Sequence, residues 1–146
     1  MLSEIHERGS LFLNTWTIVT IVLWVLIIAY AGWELLQYFK RKKAATSLDN
    51  ETFKEDMRRA QIVDVREKDV FNSGHILGAR NIPYSQLKQR SGELRNDQPI
   101  YLYEKKRTMS YRAALLLKKQ GFANLYVLED GYSGWDGKIK RKKHVN

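Results

Sequence analysis

The 146-residue sequence contains no cysteine. That absence excludes a disulfide framework, a thiolate zinc site, an iron–sulfur cluster and a cysteine nucleophile. It leaves the redox compartment open, because a chain without thiols survives in either. Proline is scarce too, with only Pro83 and Pro99 present. Internal repeats and low-complexity segments are missing. Charge is missing over one long stretch, from Gly9 to Trp33. Elsewhere charge is plentiful and one-sided, with 25 Lys+Arg against 16 Asp+Glu and a formal net charge of +9. The length suits one ordinary domain with something left over.

The uncharged stretch predicts a membrane anchor. Residues 11–33 read LFLNTWTIVTIVLWVLIIAYAGW. As a helix they would extend about 35 Å, against a hydrocarbon core of roughly 30 Å. Asn14, Thr15, Thr17 and Thr20 lie in the first half, so the core of the span is Trp16 to Gly32. Trp16 and Trp33 flank it, where indole rings favour the interface. A buried core helix is the competing reading, but the segment is apolar all round and long for one. A cleavable signal peptide is another rival, since Ala29-Tyr30-Ala31 has the small-x-small form of a cleavage site. Against it stand a first region that is not positive and a basic cluster directly after the apolar run.

The flanks set an expected orientation. Residues 1–10 carry Glu4, Glu7 and Arg8, whereas Lys40, Arg41, Lys42 and Lys43 follow the span. The positive-inside rule places the short 1–10 terminus outside and everything after Glu34 in the cytoplasm. The expected location is the plasma membrane, single-pass, with membrane lipid as a partner. Residues 34–49 read as a basic juxtamembrane linker, 50–137 as the folded domain and 138–146 as a basic tail. Without the Lys40–Lys43 cluster and the tail cations Lys138, Lys140, Arg141, Lys142 and Lys143, residues 34–146 hold 15 basic against 14 acidic residues. The excess charge is therefore at the two ends. It reads either as a topology marker with a solvated tail or as two contacts to anionic lipid. Nucleic-acid binding is not expected, because no basic stripe interleaved with aromatics runs through the body.

The remainder alternates strand and helix. Asp49 or Asn50 can cap a helix to about Arg59, with Phe53 and Met57 on one face. Residues 61–65, 79–82, 100–103 and 124–128 are short strand candidates, and all but 79–82 are mainly apolar. Pro83 stops the second of these and Pro99 opens the third. Ser110 reads as the cap of a helix over 111–120, with Lys118 and Lys119 in its last turn and Gly121 as the stop. This pattern predicts an α/β fold with a parallel sheet covered on both faces. Functional crevices in such sheets lie at the carboxyl ends of strands. The turn Glu104-Lys105-Lys106-Arg107-Thr108-Met109, running from a strand into a helix, is the expected site. Free N–H groups there favour an anion, and three cations strengthen it.

Several motifs resemble the rhodanese-like domain over about residues 50–137. They are Asp64-Val65-Arg66, Phe71, Gly74-His75-Ile76-Leu77-Gly78-Ala79 and Asn81-Ile82-Pro83, then Gly121-Phe122, Tyr126, Leu128, Gly131 and Trp135. The resemblance implies a small parallel sheet flanked by helices. It also implies a cysteine at the end of the fourth strand, followed by a glycine-containing loop and an arginine. In active members that thiolate accepts sulfane sulfur, and the loop amides stabilise the persulfide anion. Here Glu104 stands at the cysteine position, Arg107 at the loop glycine and Met109 at the loop arginine, while Ser110 keeps the residue that follows. Leu77, Val70 and Asp130 depart from residues usual in the family, in ways a fold tolerates.

A carboxylate cannot form a persulfide, so covalent sulfur transfer is not expected, and neither is a cysteine phosphatase mechanism. The leading expectation is a catalytically inactive, membrane-tethered module for binding or regulation, with no cofactor. Its loop, Glu104 to Ser110, would engage an unidentified protein partner or a small anion. Glu104 either fills the anion nest with its own carboxylate or is merely solvated. The alternatives are sulfurtransferase activity by family label and a carboxylate-based hydrolase using Glu104. Asp64, Arg66, Gly74, His75, Gly78, Gly131 and Trp135 read as mainly structural. No metal site is expected, because His75 has no nearby histidine. A third reading makes the span itself the functional part, through packing of Trp24 and Tyr30, although it contains no GxxxG motif.

Overall fold

The computed structural model describes residues 14–143. The chain divides into two units, residues 1–39 and 40–146. A single helix, α1 (Thr15–Ala44), makes up the first unit's described part and ends within the second. It is long and apolar enough to cross a membrane, and its most apolar window is not buried by protein. Within it the Thr20 hydroxyl donates to the Trp16 carbonyl at 2.7 Å, so that polar group is satisfied inside the helix. Arg41, Lys42 and Lys43 occupy the last turn, where cations suit the helix dipole. The expected terminus 1–10 and the first residues of the 11–33 span lie outside the described residues.

The expected linker over 34–49 is not one. Residues 34–44 continue α1, and Thr46–Leu48 form strand β1. The sequence LLQYFKRKKA has neither glycine nor proline and consists largely of good helix formers, so nothing in it stops the helix. Ala44 is buried in the core of the second unit, and Leu48 packs against that core's other cluster.

The second unit continues through α2 (Asn50–Asp56), a 3-10 turn (Met57–Arg59), β2 (Gln61–Asp64), α3 (Lys68–Ser73), β3 (His75–Ile76), β4 (Arg80–Asn81) and α4 (Tyr84–Arg90). A second 3-10 turn (Ser91–Glu93), β5 (Ile100–Tyr103), α5 (Thr108–Lys119) and β6 (Leu125–Leu128) follow. The chain then makes a third 3-10 turn (Tyr132–Gly134) and β7 (Ile139–Lys140). Asp49 caps α2, its Oδ1 accepting the Thr52 N–H at 2.8 Å. At the far end of α5 the chain turns on Gly121 (φ +100°), and the Phe122 N–H reaches back to the Leu117 carbonyl at 3.1 Å.

Five strands form one parallel sheet in the order β1-β6-β5-β2-β4, with β5 at its centre. The period of two along β5 divides the core between the faces. Ile100 and Leu102 meet Ala113, Ala114 and Leu117 of α5 and Leu87 of α4. Tyr101 and Tyr103 join Phe53 of α2, Ile62, Ile76 and Leu128. Each fully buried Leu or Ile contributes about 1.5–3 kcal/mol of transfer free energy. The expected tail from residue 138 is partly folded, because β7 pairs antiparallel with β3, His75 opposite Lys140 and Ile76 opposite Ile139. Residues 144–146 lie outside the described residues.

Candidate functional site

Glu104 directly follows β5, the fourth strand of the parallel sheet in chain order, at the sheet's carboxyl edge. Its side chain turns toward the start of α5, where Oε1 accepts the Met109 N–H at 2.8 Å. Met109 is the second residue of α5, so its N–H has no partner within the helix. The carboxylate therefore occupies one of the free donors that make a helix start attractive to anions. Arg107, at the capping position, provides no side-chain cap.

The expectation that Ser110 caps this helix is corrected. The helix begins two residues earlier, at Thr108, so Ser110 lies inside it. Ser110 is fully buried, and its hydroxyl has no hydrogen-bond partner among the described residues. Glu104 fills the capping role from across the loop.

The loop backbone is held from the other side by the turn after β6. The Glu104 carbonyl accepts the Tyr132 N–H at 2.7 Å, and the Lys105 carbonyl accepts the Ser133 N–H at 3.0 Å. Gly131 permits this approach. It sits at φ +62°, and a Cβ there would run into the carbonyl oxygens of Lys105 and Lys106. Arg107 lies at φ −147°, and no described non-glycine residue has a positive φ. The arginine thus avoids the left-handed backbone open to a glycine, and with it a strain of about 1–2 kcal/mol.

Lys105, Lys106 and Arg107 are all exposed. Arg107 stands 3.7 Å from the Glu129 carboxylate, a partner that the sequence pattern does not reveal. The loop thus presents cations outward and turns a carboxylate inward. No group of three or more His, Asp or Glu able to hold a metal occurs among the described residues.

The other motif residues form a brace beside the loop. Asp64 is completely buried at the end of β2, and Arg66 grips it through both Nε, at 3.0 Å, and Nη2, at 2.6 Å. Nη2 also donates to the Gly74 carbonyl at 2.7 Å. The guanidinium lies 4.3 Å from the Tyr132 ring centroid and 5.7 Å from that of Tyr103. Burial opposes the Arg66 charge, but hydrogen bonding and attraction to Asp64 prevail and hold its pKa above the usual value. The Tyr103 hydroxyl accepts the Ile76 N–H at 3.0 Å, and burial is the main cause of a strongly raised phenol pKa.

Tyr103 and Tyr132 are the functional neighbours that sequence reasoning missed. They read as strand and turn aromatics, with no local pattern tying them to Arg66. His75 is buried, stacked on Phe71 at 3.7 Å, with Nδ1 2.8 Å from the Phe71 carbonyl. It makes no hydrogen bond to the 104–110 loop among the described residues. Gly74 approaches the Tyr132 hydroxyl closely, a Cβ there falling 2.6 Å from it. Gly78 lies in an open turn after β3, and Trp135 packs edge-on against Phe53 away from the loop.

A central parallel strand, the short loop from Glu104 and the start of α5, beside the buried Asp64–Arg66 pair, make up the candidate site of this α/β domain. The sequence profile described as the rhodanese-like domain matches residues 46–138, and the chain belongs to that family. The matched range begins at β1, as the sheet does. Among curated relatives, the uncharacterized protein YqhL of Bacillus subtilis (strain 168) is 43% identical over 122 residues, covering 84% of this chain and 97% of YqhL. The thiosulfate sulfurtransferase GlpE of Shewanella oneidensis is 36% identical over 80 residues, covering 55% of this chain and 79% of GlpE. Among solved structures, the rhodanese-like domain of the Anabaena protein Alr3790 superposes with a TM-score of 0.61 at 25% identity, covering 68% of this chain and 85% of that one.

Proposed function

We propose that this chain is a membrane-anchored rhodanese-like domain that transfers no sulfur and acts by binding, on the cytoplasmic side. The observation that carries the reading is Glu104, which holds the cysteine position and accepts the Met109 N–H with its own carboxylate. Sulfur transfer needs a thiolate to attack the sulfane sulfur, and the chain has no thiol. The activity in the name of the Shewanella relative is therefore not carried over. A hydrolase built on Glu104 has no support in the loop. The carboxylate is engaged with the backbone, and His75 is turned toward Phe71.

Binding would use the exposed side of the same loop, where Lys105, Lys106 and Arg107 face solvent on a backbone fixed by Tyr132 and Ser133. α1 supports the anchoring, and the basic residues at its end support a cytoplasmic domain. The test is a thiosulfate-to-cyanide assay on the purified full chain. Thiocyanate should form no faster than in a protein-free blank, and reproducible turnover would overturn the proposal.

A further inference from the structure

Away from the Glu104 loop the second unit has a groove of about 690 Å³. Its position follows from the strand register. The groove reaches Ala60 and Ile62 at the amino-terminal end of β2, whereas the loop follows the carboxyl end of β5. The apolar lining comes from Met57, Ile62, Leu77 and Trp135. Gly137 lets the indole of Trp135 lie against the backbone, since a Cβ there would collide with the ring. The volume is within the range of small-molecule sites, about 300–1,000 Å³.

Three cations stand around this lining, Lys54, Arg58 and Lys138. Lys54 is committed, with Asp136 at 2.7 Å and Glu51 at 3.4 Å. Arg58 and Lys138 have no ion-pair partner among the described residues. Next to Lys138, β7 adds Lys140 and the residue after it is Arg141, and the apolar side chains of Leu77 and Ile139 are 45% and 42% exposed. Unpaired cations beside an open apolar lining match a ligand that is anionic at one end and apolar at the other. The same chain carries a helix able to cross a membrane, so bilayer lipid is the amphiphile it would meet most.

We infer that this groove binds an anionic lipid of the bilayer, with Arg58 and Lys138 on its headgroup phosphate and Met57, Leu77 and Trp135 along the adjoining acyl carbons. The inference rests on the membrane-anchored part of the proposed function and not on the absence of sulfur transfer.

The test places the full chain in phosphatidylcholine nanodiscs containing a trace of phosphatidylglycerol with a diazirine in its acyl chain. Illumination should label peptides containing Met57, Leu77 or Trp135, and a phosphatidylcholine diazirine probe should label them far less. The double variant R58E/K138E should lose labelling by about tenfold or more, the scale set by two lost basic contacts. The matched variant R112E/K118E on α5 should keep it. Equal labelling of both variants, or of both lipid probes, would overturn the inference. Labelling of these peptides by a diazirine analogue of free dodecanoic acid, in discs where the phosphatidylglycerol probe does not label them, would mean a soluble acid and overturn the bilayer source. A chain that fails to enter discs would sink the membrane anchor itself, a result separable from a disc-bound chain that is not labelled.

Discussion

Glu104 does for α5 what an anion would otherwise do. Its carboxylate satisfies the Met109 N–H at the positive end of the helix. The interaction has two separable parts, an acceptor oxygen and a negative charge. Glu104→Gln keeps an acceptor and loses the charge. Glu104→Ala loses both and leaves an uncapped helix start, which costs about 0.5–2 kcal/mol. Thermal melts of the three chains should therefore rank wild type, then E104Q, then E104A. The alanine variant also empties the place the carboxylate holds, with Lys105, Lys106 and Arg107 still beside it. Adding sulfate or thiosulfate should then raise the Tm of E104A more than that of wild type, because a ligand stabilises only the state that binds it. Equal shifts in both chains would show that the carboxylate is not a stand-in for an anion.

At the scale of elements, β1 matters more than its three residues suggest. Thr46–Leu48 pairs in parallel with Tyr126–Leu128, and the Leu48 carbonyl accepts the Glu129 N–H at 2.9 Å. Removing β1 would leave β6 as an open edge beside the turn that braces the Glu104 loop. A soluble piece starting at Lys40 should unfold cooperatively in urea, while a piece starting at Asn50 should aggregate or melt without a sharp transition. Circular dichroism on both pieces checks this, and identical cooperative unfolding would show that β1 is dispensable. The boundary at residue 50 is where the linker read over 34–49 ends, since a three-residue strand carries too little periodicity to announce itself. β7 is hidden for the same reason, because its partner β3 lies more than sixty residues away. The apolar runs of β2, β5 and β6, by contrast, are visible because both faces of a central parallel strand are buried. Glu104 is visible as the residue that the family resemblance sets at the cysteine position. Its bond to Met109 is not, because Ser110 is the better cap by residue type and only the earlier start of α5 displaces it.

At the scale of the whole molecule, charge and hydropathy divide the labour. The residues of α1 up to Trp33 carry no charge, and its last turn carries Arg41, Lys42 and Lys43. The rest of the chain is nearly neutral until β7. A cluster of four cations at the end of such a helix resists transfer across a bilayer, and such clusters bias orientation when they lie within about 15–20 residues of the span. The domain should therefore stay on the side where translation occurs. In inside-out vesicles, added protease should digest the domain, while sealed right-side-out vesicles should protect it. Replacing Lys40, Arg41, Lys42 and Lys43 with glutamate removes the bias, because the basic excess on that side of the span is gone while Arg8 remains on the other. That variant should give a mixed population, part of it digested from the outer face. Protection from the outer face that survives the four substitutions would mean that folding of the domain before insertion, and not the cation cluster, sets the orientation.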